Sequence, residues 1–163
     1  MKKIFIISAA LIFAVVSAAE IYIDGEFNDF KRQWTVSTTR RGVVEAVRVG
    51  GVNYVQLASE NNSRGQIGIY TGRGIAAKCQ DKIAVSADIS GGMVTLSIME
   101  YGNKKFLGSQ DKKFKPSAEK RSCSAEFTVK NPKTDLVRIS FKTAKGSVGV
   151  ISNVKADMVK GGK

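Results

Sequence analysis

Short segments in which apolar and polar residues alternate recur along the chain from residue 35 onward. Val43 to Val49 and Val52 to Leu57 alternate on either side of Gly50-Gly51, which is the pattern of a β-hairpin with a tight turn. Further strands are predicted at 66–71, 83–89, 93–101, 126–130, 136–142, 147–152 and 154–159. Because side chains alternate between the two faces of a strand, each segment has one face for a core and one for solvent.

Turns recur between these segments every 8 to 12 residues or so, and no later window keeps the 3.6-residue period of an amphipathic helix. The pattern predicts an all-β, single-domain β-sandwich, a jelly roll of two antiparallel sheets. Residues 103–121 hold seven of the basic residues, and we expect this stretch to be a long solvated connection between strands.

The segment DGEFNDFKRQW, residues 24–34, is polar but places three aromatic residues at regular intervals. Gly25 and Asn28 interrupt it and strands follow, so we expect no helix here. Phe27 and Trp34 are predicted to close one end of the sandwich core.

The first nineteen residues have the pattern of a secretory signal peptide. Lys2 and Lys3 precede an apolar run from Ile4 to Val16, and small residues follow up to Ala19. The apolar run is too short to span a bilayer comfortably. We expect cleavage after Ala18 or Ala19, and a mature domain of residues 20–163 that is secreted or periplasmic in a bacterium and not transmembrane.

The chain is strongly basic, with a formal net charge of +12, which falls to +10 when Lys2 and Lys3 leave with the signal. Such a charge favours anionic partners. The charge is compatible with an anionic polysaccharide or glycan, with an anionic surface and with nucleic acid, and we do not expect the last. The alternative is an exported protein that is merely basic, and the oligomeric state is not determined by the sequence.

Two cysteines, Cys79 and Cys123, follow the predicted signal. In an oxidising compartment an even pair favours a disulfide, and two free thiols are the alternative.

The chain contains no histidine, which excludes Ser/His/Asp and Cys/His catalytic triads and histidine-based metal sites. Glu100 is the one acid that continues the inward phase of its strand, and such a residue more often lies at a sheet rim than in a catalytic pair. We therefore expect no enzyme.

Two predicted strands carry polar, basic and aromatic residues on the face opposite their apolar side. Met99 and Tyr101 lie on that face of strand 93–101, and Arg138 and Lys142 lie on that face of strand 136–142. If the two strands share a sheet, these four residues form a ligand-binding platform. The alternative is an ordinary solvated sheet face.

Several segments, in the same order, resemble the jelly-roll, galactose-binding-like carbohydrate-binding modules attached to bacterial polysaccharide-degrading enzymes. Residues 24–28 resemble the opening Asn-Gly-x-Phe-Glu of that family, and Trp34 stands at its Trp position. The later segments that resemble it are GVNYVQL (51–57), KIAVSADIS (82–90), RSCSAEFTV (121–129) and GVISNVKADMV (149–159). The resemblance implies a non-catalytic carbohydrate-binding protein. The alternative is a structural or adhesive exported protein that engages other proteins and has no small-molecule site.

The resemblance also bears on cofactors, because the family often holds a structural calcium ion. Asp24 and Glu26 offer carboxylate oxygens for such an ion. Asn28 stands at the usual Glu position and Ser152 at the closing Asp position, so the resemblance allows calcium without requiring it. No other cofactor is expected.

Overall fold

The computed structural model describes residues 19–37, 42–60 and 67–162, so most of the predicted signal peptide and Gln66 lie outside the described residues. The described elements, in chain order, are β1 (Ala19–Glu20), α1 (Phe30–Gln33), β2 (Trp34–Ser37), β3 (Gly42–Val49), β4 (Val52–Ser59), β5 (Ile67–Thr71), β6 (Ile75–Ala76), β7 (Lys82–Gly91), β8 (Val94–Gly102), β9 (Lys105–Phe114), β10 (Ser117–Thr128), β11 (Leu136–Thr143) and β12 (Val148–Val159). None of the helices in these ranges has the length and apolar character needed to cross a bilayer.

The strands form two antiparallel six-stranded sheets. Sheet A has the strand order β10-β7-β12-β4-β3, with β1 paired to β12. Sheet B has the order β2-β5-β11-β8-β9, with β6 paired to β11. The two sheets pack face to face as a jelly-roll sandwich, and the predicted fold class is confirmed.

The core lies between the sheets and is built by the alternation that the sequence displays. Val85 and Ile151 of sheet A and Ile98, Ile139 and Phe141 of sheet B are buried in a single apolar cluster. The predicted hairpin is also confirmed, since β3 and β4 pair throughout and Gly50 and Gly51 have φ of 58° and 85°. Positive φ at both central residues is the requirement of a type I′ turn.

The prediction of a long connection over residues 103–121 is wrong, because this basic stretch forms β9 and the first part of β10. β9 is the edge of sheet B and β10 the edge of sheet A. Lysines on an edge strand are a common protection against pairing with a second chain. The density of basic residues therefore marks two sheet edges here and not a loop.

The opening segment contains one helical turn, α1, so the expectation of no helix was wrong. The turn begins after Asn28, beyond the residues that interrupt it. The placement of the aromatic residues is confirmed: Phe27 and Trp34 are buried, with ring centroids 5.4 Å apart. Trp34 Nε1 donates a hydrogen bond of 2.9 Å to the carbonyl oxygen of Asp24, which fixes the ring in the core.

The two predicted C-terminal strands are a single strand, β12. Its pairing with β7 shifts between Ser152 and Lys155, and Asn153 has φ of 51°. This irregularity is a β-bulge. A bulge interrupts the alternation of apolar and polar residues, so in the sequence it looks like a break between two strands.

Candidate functional site

The outer face of sheet B carries the residues predicted to form a platform. β8 and β11 are adjacent and antiparallel, and Arg138 lies directly opposite Met99. Alternate residues of both strands are buried in the core, so the residues between them face outward. These outward residues are Thr95, Ser97, Met99, Tyr101, Arg138, Ser140 and Lys142. The condition on which the platform depended, a shared sheet, is thus met.

Arg138 lies between two tyrosine rings. Its Cζ is 5.2 Å from the ring centroid of Tyr70 and 5.5 Å from that of Tyr101. A guanidinium group is attracted to the face of an aromatic ring, and a planar group can engage a ring on each side. The two rings therefore hold the guanidinium in one orientation.

Strand register explains why these three residues meet. On one side of β11, Tyr70 lies opposite Ser140, and on the other side Tyr101 lies opposite Leu136. Arg138 stands midway between those positions on β11, so both tyrosines are its diagonal neighbours. Long and aromatic side chains reach one another across such diagonals.

Aromatic surface continues from Tyr101 toward the edge of the sheet. Phe106 of β9 is 59% exposed, and its ring centroid lies 5.7 Å from that of Tyr101 in an edge-to-face arrangement. The Tyr101 hydroxyl contacts Met99 Sδ at 4.0 Å. We call the set Tyr70, Arg138, Tyr101 and Phe106 the aromatic row, which crosses four neighbouring strands, β5, β11, β8 and β9.

Beside the aromatic row the floor of the face is polar and recessed. Ser97 and Ser140 point outward and are paired across β8 and β11, yet both are buried. Small residues among long neighbours are sheltered in this way. Among the described residues, Ser97 Oγ and Arg138 Nε are buried without a hydrogen-bond partner. Buried polar atoms in proteins are usually hydrogen-bonded to protein or to ordered water, so both atoms can take a partner from outside the chain.

Lys142 lies further along the same face. It is four residues from Arg138 on β11, a rise of ~13 Å. It stands opposite Thr95 of β8, and Lys113 of β9 stands opposite the other side of Thr95. The structure therefore brings Met99, Tyr101 and Arg138 together and places Lys142 in a second basic position. Their role as ligand contacts stays a prediction.

Tyr70 and Phe106 were missed by the sequence reasoning. The outward position of Tyr70 follows from the buried residues on either side of it, Ile69 and Thr71. The pairing of β5 with β11 cannot be predicted from the alternation, because the two strands are far apart in the chain. Phe106 lies in β9, whose lysines give the strand the sequence pattern of a solvated loop.

Glu100 lies on the inward side of β8, as its phase predicted, and it is buried. Its carboxylate accepts hydrogen bonds from Gln110 Nε2 (3.0 Å), the backbone N–H groups of Lys130 (3.2 Å) and Asn131 (2.9 Å), and Thr134 Oγ1 (2.8 Å). Burial opposes ionisation, but the hydrogen bonds from Asn131, Thr134, Lys130 and Gln110 outweigh it and lower the pKa of Glu100. A carboxylate that is ionised and fully engaged fastens the segment after β10 to β8, which is a structural role.

The residues that the resemblance assigns to calcium do not fit a divalent cation. Asp24 accepts hydrogen bonds from the backbone N–H groups of Asn28 (2.9 Å) and Asp29 (2.6 Å). Glu26 accepts one of 3.2 Å from the Asn28 side chain. In the part of the chain that the structure describes, no three acidic, histidine or cysteine side chains come together as a metal site. Calcium needs six to eight oxygen ligands, so we derive no calcium-dependent step.

The disulfide favoured from the sequence is not formed, and both cysteines are free thiols. Cys79 Sγ lies 3.4 Å from the carbonyl oxygen of Lys130, beyond the end of β10. Thr128, the last residue of β10, is paired with Lys82 of β7. Cys123 is paired with Ala87, which lies five residues further along β7, a rise of ~16 Å. A disulfide requires Cα atoms within about 7 Å, so the two positions cannot be bridged.

Several solved structures share this fold. The family 11 carbohydrate-binding module of a cellulosomal cellulase from Clostridium thermocellum superposes with a TM-score of 0.59 at 11% identity, covering 90% of this chain and 96% of that one. A family 4 carbohydrate-binding module gives 0.57 at 12% identity, covering 83% and 93%. The structure thus matches the β-sandwich domains of bacterial carbohydrate-binding modules, of the kind attached to glycoside hydrolases.

A larger protein contains the same sandwich. The enzymatically active domain of bacteriophage CBA120 tailspike protein 4 matches with a TM-score of 0.59 at 13% identity over 83% of this chain, but the chain spans only 20% of that domain. No protein-family model and no curated protein matches the sequence. Identities this low establish the fold and leave the function to be argued from the site.

Proposed function

We propose that this protein is an exported, non-catalytic carbohydrate-binding protein that holds a polysaccharide chain on the outer face of sheet B. The observation that carries the proposal is the aromatic row. Aromatic rings offer flat apolar surfaces to the faces of sugar rings, and nearby polar groups orient the hydroxyl groups. The modules with the same fold support the choice of ligand class by analogy.

The arrangement suits binding rather than bond cleavage. Glycoside hydrolysis needs two carboxyl groups on either side of the scissile bond. Glu100, next to Tyr101 in the chain, faces the core with its oxygens already engaged by four donors. Within β8, β9 and β11 the face offers rings, hydroxyls, basic groups and a single carboxylate, Asp111, and one carboxylate does not supply the pair that hydrolysis needs.

Tyrosine substitutions test the proposal. A polysaccharide that binds the wild type is first found as one that retards it in affinity electrophoresis. Tyr101→Ala and Tyr70→Ala should each bind that polysaccharide about tenfold more weakly, since a lost ring contact is worth roughly 1 kcal/mol or more. Tyr22 is 87% exposed and lies outside sheet B, so Tyr22→Ala is the matched control and should bind like the wild type. The proposal would be refuted if no polysaccharide retarded the wild type, or if all three variants bound equally well.

The export component rests on the N-terminal sequence. Mass spectrometry of protein recovered from the periplasm or medium of an expressing bacterium should give a chain that begins at Ala19 or Glu20. Uncleaved protein retained in the cytoplasm would contradict it.

A second candidate, structural association through strands, is favoured by the edge of sheet A. β3 is an eight-residue edge strand on which Val43, Val47 and Val49 are exposed, and it has no proline or lysine, although Glu45 and Arg48 carry charge on it. The partner that this edge fits is the β3 strand of a second copy. Sedimentation velocity should then show a concentration-dependent dimer that Val47→Lys abolishes, whereas a wild type that stays monomeric at all concentrations rejects this candidate.

A further inference from the structure

The outer face of sheet B carries more positive than negative charge, since Arg138, Lys142 and Lys113 share it with the single acid Asp111 of β8, β9 and β11. In the part of the chain that the structure describes, no carboxylate forms an ion pair with Arg138, Lys142 or Lys113. Asp111 is the one acid that the strand register places on this face within β8, β9 and β11. Charged side chains in proteins usually have a partner when they are partly buried, as Arg138 is.

The tyrosines leave the guanidinium group of Arg138 a restricted way to bind a ligand. The rings of Tyr70 and Tyr101 lie against it, so the edge with its N–H groups is what remains. That edge matches the two oxygens of a carboxylate, which it can bind through two parallel hydrogen bonds. Arg138 Nε is itself buried, so in this arrangement a carboxylate approaches the two Nη groups, and no described carboxylate forms an ion pair with them.

A second positive position lies along the same face. Lys142 and Lys113 stand on either side of Thr95, ~13 Å from the level of Arg138. A single acidic sugar at Arg138 would leave these lysines without a partner. A chain with a carboxylate on more than one of its sugars can engage both positions at once, which raises its affinity through the effective concentration of the second group.

We propose that the ligand is a polyuronate, a polysaccharide with repeated carboxylate groups, held at two points by Arg138 and by the Lys142–Lys113 pair. This inference rests on the proposed function, because it names the class of chain that the aromatic row would hold. The rings of the aromatic row contact the sugars, Arg138 binds one carboxylate, and the lysines bind another further along the chain.

Matched polymers test the charge separately from the sugar. Polygalacturonate, alginate and hyaluronan are each compared with their fully methyl-esterified forms, which keep the backbone and remove the charge, by titration calorimetry at low and at physiological salt. We expect at least one acid form to bind about tenfold or more tightly than its ester, with the difference shrinking as salt screens the charges.

Variants then locate the effect. Arg138→Gln should weaken binding of the acid form by about tenfold and binding of the ester by clearly less, because the ester loses the packing of Arg138 between the two tyrosines but no charge pair. Lys142→Gln should weaken binding of the polymer but not binding of a monomeric uronic acid. Lys155 is exposed on β12 of sheet A, so Lys155→Gln removes the same charge elsewhere and is the matched control, with an expected loss of less than twofold.

The outcomes separate the two proposals. If acid and ester forms bind equally, the polyuronate inference is overturned and carbohydrate binding stands. If neutral and acidic polysaccharides all fail to bind, both proposals fail. If polyglutamate competes as well as the polyuronate, the attraction is charge alone and the inference is again overturned. Loss of binding in Lys155→Gln equal to that in Arg138→Gln would have the same meaning.

Discussion

Replacing Glu100 with Gln tests the interpretation of the acid that stands next to the site in sequence. Its two oxygens accept four hydrogen bonds, one pair at Oε1 from Gln110 and Lys130 and one pair at Oε2 from Asn131 and Thr134. A glutamine keeps one acceptor oxygen and turns the other into an N–H donor. The Thr134 hydroxyl can rotate to accept from it, but a backbone N–H cannot, and the Gln110 amide could do so only by giving up its 2.7 Å hydrogen bond to the Thr128 carbonyl oxygen.

In either orientation of the new amide, the backbone N–H of Lys130 or of Asn131 therefore loses its acceptor. A buried unsatisfied donor costs roughly 1–3 kcal/mol, and the charge assistance of the remaining bonds is lost as well. We expect Glu100→Gln to lower the free energy of unfolding by about 2–3 kcal/mol, which is ~5–10 °C in Tm for a domain of this size. Glu45→Gln, at an exposed position of β3, is the matched control and should change stability by less than about 0.5 kcal/mol.

The pH dependence gives a second, independent readout. Because the folded protein lowers the pKa of Glu100 below its ordinary value of 4.5, the ionised carboxylate stabilises the fold. That stabilisation is fully present above the ordinary value and is lost as pH falls through the folded pKa. The gap between wild type and Glu100→Gln, measured by urea unfolding, should therefore be constant near neutrality and shrink below about pH 4.5. A variant as stable as the wild type at pH 7, or a gap that widens in acid, would refute a carboxylate clamp.

Three further predictions concern the rest of the fold. Gly25→Ala should destabilise by more than about 3 kcal/mol, because a Cβ would lie 1.6 Å from the carbonyl oxygen of Val154, whereas Gly108→Ala meets nothing within 4 Å and should be neutral in the same thermal melts. Titration of the unreduced, denatured protein with a thiol reagent should find Cys79 and Cys123 both reactive, and a titre of zero would mean that they pair after all. Adding EDTA or calcium should shift Tm by less than about 1 °C, and a rise of several degrees with calcium would show that the acids of the opening segment do bind it.

The outward faces of β8 and β11 illustrate how far the sequence reached into the site. Val94, Leu96 and Ile98 set the phase of β8, and the buried residues of β11 did the same, so Tyr101 and Arg138 could be assigned to outward positions without coordinates. Alternation is a local property of the backbone and survives in nearly any strand with one buried face. Glu100 was placed inward by the same logic.

The limits of the sequence appear where distant strands meet. The contact of Tyr70 with Arg138 depends on the pairing of β5 with β11. The alternation within either strand does not indicate which other strand it pairs with. The strand that carries Phe106 was hidden by its lysines, because charge on an edge strand and charge in a loop look alike in a sequence. The free thiols are a further case, since the distance between two cysteines is set by the register of β10 on β7.

The sequence by itself therefore determined that this is an all-β sandwich, where most strands lie, and which residues face outward, because these follow from the two-residue period of a strand. Only the tertiary structure decided that Arg138 lies between two tyrosines, and that a second basic position lies further along the same face. Both are products of strand order and register, which are set by how whole sheets pack around the core and not by any one segment.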